Sequence, residues 1–297
     1  MDSKHLCGYI ALIGLPNVGK STLLNRLVGE KLAITSPKPQ TTRHRLLGVM
    51  NLPQAQLLFL DTPGLLDPKG LLNQTLVQAA LQTLEEADVV VWLVEPAPPD
   101  PRDRLILPHL QKARRLLVVA INKIDHISKS RLLPVLQAYH QLWPDAPLVP
   151  VSALMGDGLD DLIAEILKLL PEAPPLYPED LGTDVTERFL VAELIRERLF
   201  HHTGEEIPYA TAVQVQEFDE SRRPDLVRLR AVIFVERDSQ KAIVIGKKGA
   251  MLKLIGQEAR QDIEALLGCK VFLELCVKVW KNWRKDPRAI RTLGYQG

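Results

Sequence analysis

Residues 14–21, Gly-Leu-Pro-Asn-Val-Gly-Lys-Ser, have the composition of a loop that wraps an anion. Gly14 and Gly19 permit a tight backbone turn whose N–H groups point inward at phosphates beside a helix N-terminus. Lys20 then neutralises the β- and γ-phosphates, and the Ser21 hydroxyl is a ligand for Mg²⁺. The match to G-x-x-x-x-G-K-[ST] is complete, with Pro16, Asn17, Val18 and Thr22 filling out the nucleotide contact.

Three further segments follow in order. An apolar run delivers Asp61-Thr62-Pro63-Gly64, where Asp61 holds the Mg²⁺ shell through a water and the Gly64 N–H bonds the γ-phosphate. Alone, such a turn is a common loop; its place after a phosphate loop gives it meaning. Asn122-Lys123-Ile124-Asp125 decides the base, because a carboxylate at Asp125 accepts from the N1–H and 2-amino group of guanine, and adenine offers neither. Asn122 and Lys123 orient that loop and cover the purine, and Ser152-Ala153-Leu154 supplies a backbone N–H, assigned to Ala153, for the guanine O6. An ATPase or nucleotide kinase is disfavoured.

Residues 34–45, Ile-Thr-Ser-Pro-Lys-Pro-Gln-Thr-Thr-Arg-His-Arg, are polar and broken by proline, as suits a loop that orders on a γ-phosphate and relaxes after its release. Thr42 is the choice for the Mg²⁺-binding hydroxyl, with Thr41 as the alternative. Arg43 and His44 serve catalysis or a partner, or belong to an exposed basic loop. Lys20, Thr42, Asp61 and Gly64 form the expected catalytic set. Leu65 stands where many GTPases place a water-orienting glutamine, so a slow intrinsic turnover, raised on a target, is expected.

Elements that hold these loops alternate between short apolar runs (9–13, 46–50, 57–60, 89–94, 116–121 and 148–151) and longer amphipathic stretches (20–28, 71–85, 102–113, 130–142 and 159–169). That alternation predicts a mostly parallel six-stranded sheet with helices on both faces, the 46–50 run being antiparallel. The chain has 297 residues, 46% hydrophobic and 25% charged, enough for two domains. No apolar run approaches the ~20 residues of a membrane span and no signal peptide precedes the first strand, so a cytoplasmic protein is expected. Cys7, Cys269 and Cys276 lack metal-ligand spacing and read as free thiols.

Four prolines within residues 171–180 read as an interdomain linker, giving a first domain at 1–170, a linker at 171–183 and a second domain at 184–297. The second domain is expected to run helix (186–200), two strands (212–218, 227–236), a glycine turn, helix (250–267) and strand (270–279). Charge is uneven: residues 1–240 carry 25 Lys+Arg against 31 Asp+Glu, whereas residues 241–297 carry 12 against 5. A basic end on an acidic body suggests a polyanion partner. Gly246-Lys247-Lys248-Gly249, read between an apolar strand and an amphipathic helix, matches the GXXG loop by which KH domains clamp about four nucleotides. Lys253, Lys281, Arg284 and Lys285 extend that cationic surface. Trp280 and Trp283 either stack on bases or pack beneath the final helix.

With the Gln-Thr-Thr-Arg-His-Arg segment at 40–45 and Arg-Thr-Leu-Gly-Tyr at 291–295, these motifs together resemble the Era family of bacterial ribosome-assembly GTPases, essentially end to end. The resemblance implies an α/β P-loop GTPase domain followed by a type II KH domain. It implies GTP and GDP as ligands, and binding of the 16S rRNA 3′ end in a maturing small (30S) subunit. It further implies a monovalent cation, K⁺, at Asn17, and peripheral contact with the inner membrane, for which the sequence shows no amphipathic anchor; a monomer is expected. Two rivals stand beside this reading. One is a GTP-sensing RNA-binding scaffold with little hydrolysis; the other is a related tRNA-modification GTPase, whose long helical region the chain lacks.

Overall fold

The computed structural model describes residues 5–65, 69–113 and 116–295, the side chains at 104, 105, 112 and 113 excepted. The first domain runs β1 (Leu6–Ile13), α1 (Lys20–Val28), β2 (Leu46–Leu52), β3 (Ala55–Asp61), α2 (Leu71–Glu86), β4 (Val89–Val94), α3 (Leu107–Ala113), β5 (Leu116–Ile121), α4 (Lys129–Leu142), β6 (Leu148–Pro150) and α5 (Leu159–Leu167). Its sheet has the order β2-β3-β1-β4-β5-β6. Only the β2–β3 pair is antiparallel. Strands β3 and β4 are buried at every residue, which explains the wholly apolar sequence of β4 and the apolar 57–60 run of β3: helices cover both faces of the sheet. The carboxyl ends of β1, β3 and β5 therefore open on one edge, presenting residues 14–21, 61–64 and 122–125 together. The single helix expected at 102–113 is instead a 3₁₀ turn, Pro101–Leu105, followed by α3; Asp100 caps the turn by accepting the Arg102 N–H.

The second domain comprises α6 (Glu187–His202), α7 (Ile207–Ala210), β7 (Ala212–Arg222), β8 (Leu226–Val235), α8 (Asp238–Ile245), α9 (Ala250–Leu267), β9 (Lys270–Val279) and α10 (Pro287–Thr292). Its sheet, β7-β8-β9, has one antiparallel and one parallel pair. Here the sequence expectation needs correction: the Ala-Ile-Val-Ile run before Gly246 is not a strand but the end of helix α8. Gln240 ties down the start of that helix by accepting the N–H groups of Glu236 and Arg237. Only Gln240 and Val244, four apart, are buried, and Ile243 is half exposed. Tertiary placement overrides the β preference of branched side chains.

The proline-rich segment is also not a free tether. Cys7 N–H donates to Pro171 O (3.2 Å), Ala173 N–H to His5 O (3.0 Å) and Val49 N–H to Gly182 O (2.8 Å). The buried Gln56 amide accepts from the N–H groups of Leu176 and Tyr177 and donates to Tyr177 O. Ala173 and Tyr177 cover Cys7, Leu47, Val49, Leu58 and Leu60. Proline forbids a regular strand there, but it does not forbid a strap that lies across the sheet. The two domains meet in a small core of their own, where Leu72 and Leu76 of α2 pack with Trp283, Ile290, Leu293 and Tyr295.

Candidate nucleotide-binding site

Gly19 begins α1 at φ 100°, a left-handed conformation, and a Cβ there would lie 2.3 Å from Asn122 Nδ2. No side chain caps α1, so the first-turn N–H groups face the loop. A Cβ on Gly14 would meet Leu93 O at 2.4 Å, and one on Gly64 would meet Pro16 N at 2.8 Å. The 61–64 turn is thus pressed against the phosphate loop, and Leu65 N–H donates to Gly14 O (3.3 Å). Glycine is fixed at these places by close approach of backbones.

Lys20 is buried, with Nζ donating to Gly14 O (3.2 Å) and Leu15 O (3.0 Å). Burial pulls its pKa down to about 8, against the opposing charge of Asp61. Asp61 has no exposed surface; burial pushes its carboxyl up to about 6, although Lys20 and Ser21 favour the charged form. Ser21 Oγ lies 2.7 Å from Asp61 Oδ2 and 2.6 Å from Thr42 Oγ1, and Thr42 Oγ1 is 3.4 Å from the same carboxylate oxygen. Asp61 Oδ1 is buried without a hydrogen-bond partner. Three oxygens converging beside an unsatisfied carboxylate oxygen fit a hard cation such as Mg²⁺. Thr41 also borders the cavity, but its hydroxyl is engaged in donating to Lys38 O (2.8 Å).

At the base end, Asn122 Nδ2 donates to Val18 O (2.7 Å), tying the specificity loop to the phosphate loop. Ser152 Oγ donates to Asp125 Oδ1 (2.6 Å), which holds that carboxyl below its usual pKa and keeps it an acceptor. Lys123, at φ 63°, pairs with Glu95 (2.6 Å). The expectation for Ala153 is modified: its N–H donates to Asn122 Oδ1 (2.9 Å), so a purine O6 would have to share that hydrogen. Pro16, Asn17, Gly19, Lys20, Ser21, Thr22, Thr42, Gly64, Lys123 and Leu154 border one cavity of about 700 Å³. Gly14, Val18, Asp61, Thr62 and Asn122 are buried behind it, and Thr62 donates to Leu12 O (2.9 Å). Asn17 Nδ2 donates to Pro37 O (2.7 Å). Leu65 is buried in the apolar core, away from any position that could orient water.

Neither expectation for Arg43 and His44 describes where they lie. Arg43 is buried between the domains, donating to Thr211 O (2.7 Å), Pro208 O (3.0 Å) and Tyr209 O (3.2 Å). His44 stacks on Tyr295 and meets Phe189 edge-on. Burial pulls its pKa down to about 4.

In the second domain, Gly246, Lys247, Lys248 and Gly249 link α8 to α9, so the loop sits between two helices. Gly249 and Lys253 border a groove with Arg260, Leu252, Phe272 and Leu275. Phe272 went unremarked in the sequence; it is 58% exposed on the face of β9 that also carries Lys270, Glu274, Cys276 and Lys278, a signal visible in the alternation along the strand. Arg284 and Lys285 border a different cavity, at the domain junction, and Arg284 pairs with Glu236 (2.5 Å). Lys281 is exposed. Trp283 has no exposed surface and donates to Ala210 O (2.9 Å), so it packs rather than stacks on bases; Trp280 meets Phe234 edge-on.

A phosphate loop, a carboxylate-and-hydroxyl cluster and the Asn122-Lys123-Ile124-Asp125 loop, all at one edge of this sheet, are the arrangement of a P-loop GTPase, here joined to an α-β-β-α-α-β KH domain. Family models agree: one described as a 50S ribosome-binding GTPase matches residues 9–123, and one described as a KH domain matches residues 206–284. GTPase Era of Geobacter metallireducens is 49% identical over 295 residues, and that of Geotalea uraniireducens 50% over 296, each alignment covering 99% of both chains. Among solved structures, Era in complex with MgGDPNP and nucleotides 1506–1542 of 16S ribosomal RNA is 44% identical, with TM-score 0.96 over 99% of this chain and 100% of that one. An Aquifex aeolicus Era variant bound to GDP·AlF₄⁻ is 44% identical, with TM-score 0.95 over 98% and 100%. The chain belongs to the Era family of GTPases.

Proposed function

We propose that this GTPase acts on the small ribosomal subunit during its assembly, binding the 3′ end of 16S rRNA through the KH domain and hydrolysing GTP as the switch that times binding and release. The observation that carries the reading is the pairing, in one chain, of the nucleotide cavity with a Gly246–Gly249 clamp above a groove bearing exposed Phe272, Lys253 and Arg260. A relative solved with both MgGDPNP and 16S rRNA supports it. In this reading Ser21, Thr42 and Asp61 hold Mg²⁺, which neutralises charge on the phosphates; the orphaned Asp61 oxygen supports that role. Lys20 and the α1 N–H groups bind the phosphates, Gly64 N–H faces the γ-phosphate, and Asp125, kept ionised by Ser152, selects guanine. Asn17, its amide nitrogen turned to Pro37, is the residue for K⁺. Because Leu65 is buried, the attacking water is positioned by backbone, a cation or the RNA-bound partner. Lys247, Lys248, Lys253 and Lys281 meet RNA phosphates, with Arg284 and Lys285 doing so at the domain junction. The domain limits are 1–170 and 184–297, and the protein works in the cytoplasm as a monomer; among the described residues no helix is long and apolar enough to cross a membrane. The peripheral contact with the inner membrane that the family suggests belongs to the same reading, and flotation with anionic vesicles tests it.

The decisive experiment measures GTP hydrolysis in potassium and in sodium buffer, with and without an RNA matching the 16S rRNA 3′ end, beside Lys20→Ala. Stimulation by RNA, absent in Lys20→Ala, is expected; tight GTP binding with no hydrolysis in any arm would overturn the switch.

A further inference from the structure

The loop that carries Thr42 has no helix or strand of its own between α1 and β2, and groups of the second domain hold it. Glu197 of α6, 1% exposed, accepts the Thr35 N–H through Oε1 (2.9 Å) and the Lys31 ammonium through Oε2 (2.5 Å). Arg196, without exposed surface, is gripped by both oxygens of Glu193 and donates to Thr41 O (2.5 Å), one residue before Thr42. His201, one turn beyond Glu197, lies 3.2 Å from Thr35 O and forms part of the wall of the nucleotide cavity. Lys38 reaches back to the carbonyls of Phe200 and Thr203. Residues 193, 196, 197 and 200 recur at helical spacing, so one stripe of α6 faces the loop.

A charged group as buried as Glu197 persists only where its lone pairs are satisfied, and both of its partners belong to the nucleotide-binding domain. We propose that the C-terminal half of α6 is the support of the nucleotide-binding loop, with Glu197 and Arg196 as positioning residues that the RNA-binding domain supplies to the GTPase site. They touch neither phosphate nor metal; they fix Thr35 and Thr41, and through them the place of Thr42. A shift of α6 then loosens the γ-phosphate side of the cavity, and by reciprocity nucleotide binding changes RNA affinity by the same factor. The inference deepens the coupled reading above and rests on it.

The test uses the full chain, a fluorescent non-hydrolysable GTP analogue, fluorescent GDP and the 16S 3′-end RNA. Glu197→Ala should speed dissociation of the GTP analogue at least tenfold and that of GDP much less, since GDP offers no γ-phosphate for the loop to close on. Glu197→Gln, whose amide oxygen still accepts the Thr35 N–H, should restore most of the retention. RNA affinity in the GDP state should stay within twofold of the parent, showing the second domain intact, while the affinity difference between the two nucleotide states shrinks toward none. Should Glu197→Ala fail to fold, Lys38→Met, at a half-buried loop position, cuts the same support and should speed analogue release at least fivefold. Analogue release within twofold of the parent in the folded variants overturns the proposal. A parent protein with equal RNA affinity in both nucleotide states overturns the coupled reading instead, and the dissociation rates still decide the role of Glu197.

Discussion

Asp61 holds a carboxylate in the interior with one of its two oxygens unsatisfied. A buried carboxylate with one oxygen bonded to nothing is costly to the protein alone, roughly 1–3 kcal/mol for the unsatisfied atom, and a divalent cation removes that cost. Asp61→Asn should therefore raise the Mg²⁺ concentration for half-maximal GTP retention at least tenfold, with the apo protein as stable as the parent or more so. A magnesium titration of nucleotide retention, paired with urea unfolding, checks both halves; an unchanged titration would sink the assignment. The gathering of Asp61, Lys20, Asn122 and Asp125 at one edge of the sheet was legible in the sequence because their motifs stand directly after strand ends. Arg43 and His44 were not, because the groups that explain them, Thr211 and Tyr295, lie far along the chain. A local reading of a basic loop carries no trace of carbonyls folded onto it from another domain.

At the scale of elements, the α8–α9 connection separates two glycines that look equivalent in the GXXG motif. Gly246 has φ 73° and ψ 175°, a region that side chains scarcely enter, and a Cβ there would sit 2.7 Å from Met251 Cβ. Gly249 is left-handed at φ 79°, but nothing lies within 4 Å of where its Cβ would be. Gly249→Ala should cost about 1–2 kcal/mol, the ordinary left-handed penalty, and Gly246→Ala clearly more. Urea denaturation of the two variants compares them directly, and equal losses would contradict the geometry. The element that sequence reasoning misread is the neighbouring one. Branched residues at 243–245 carry a strand preference, and the Gln240 side chain that commits them to a helix declares itself only through its backbone partners. The six-stranded sheet was readable because its strands carry apolar runs such as 57–60, 89–94 and 116–121 between amphipathic stretches. The strap at 171–183 was not, since prolines announce irregular backbone without saying what that backbone rests on.

For the molecule as a whole, the junction is where the two domains become one object. His44 lies between Phe189 and Tyr295, beside the buried Arg43. Its folded pKa, about 4, is below its ordinary 6.5, so between those values the unfolded chain binds the extra proton. Stability is full above pH 6.5 and falls as pH drops toward 4, by up to about 3 kcal/mol from this group. His44→Phe keeps a ring in place and removes the proton, so the difference between parent and variant in urea unfolding should favour the variant increasingly from pH 7 to pH 5. A difference that stays constant with pH would contradict that assignment. Across this junction Arg43, Lys38, Arg196 and Glu197 hydrogen-bond mainly to main-chain oxygens or N–H groups, their side-chain partners being Lys31 and the Tyr295 hydroxyl, while the Arg43 guanidinium also lies over the rings of Phe200 and Tyr295. Every amino acid offers the carbonyl, and every one but proline the N–H. Thr203, Pro208 and Thr211 are thus free, as far as these contacts go, to drift over evolutionary time. Paired substitutions of the kind used to trace communicating positions through sequence families have no reason to accumulate there, so these main-chain links between the two halves should be nearly silent in covariation.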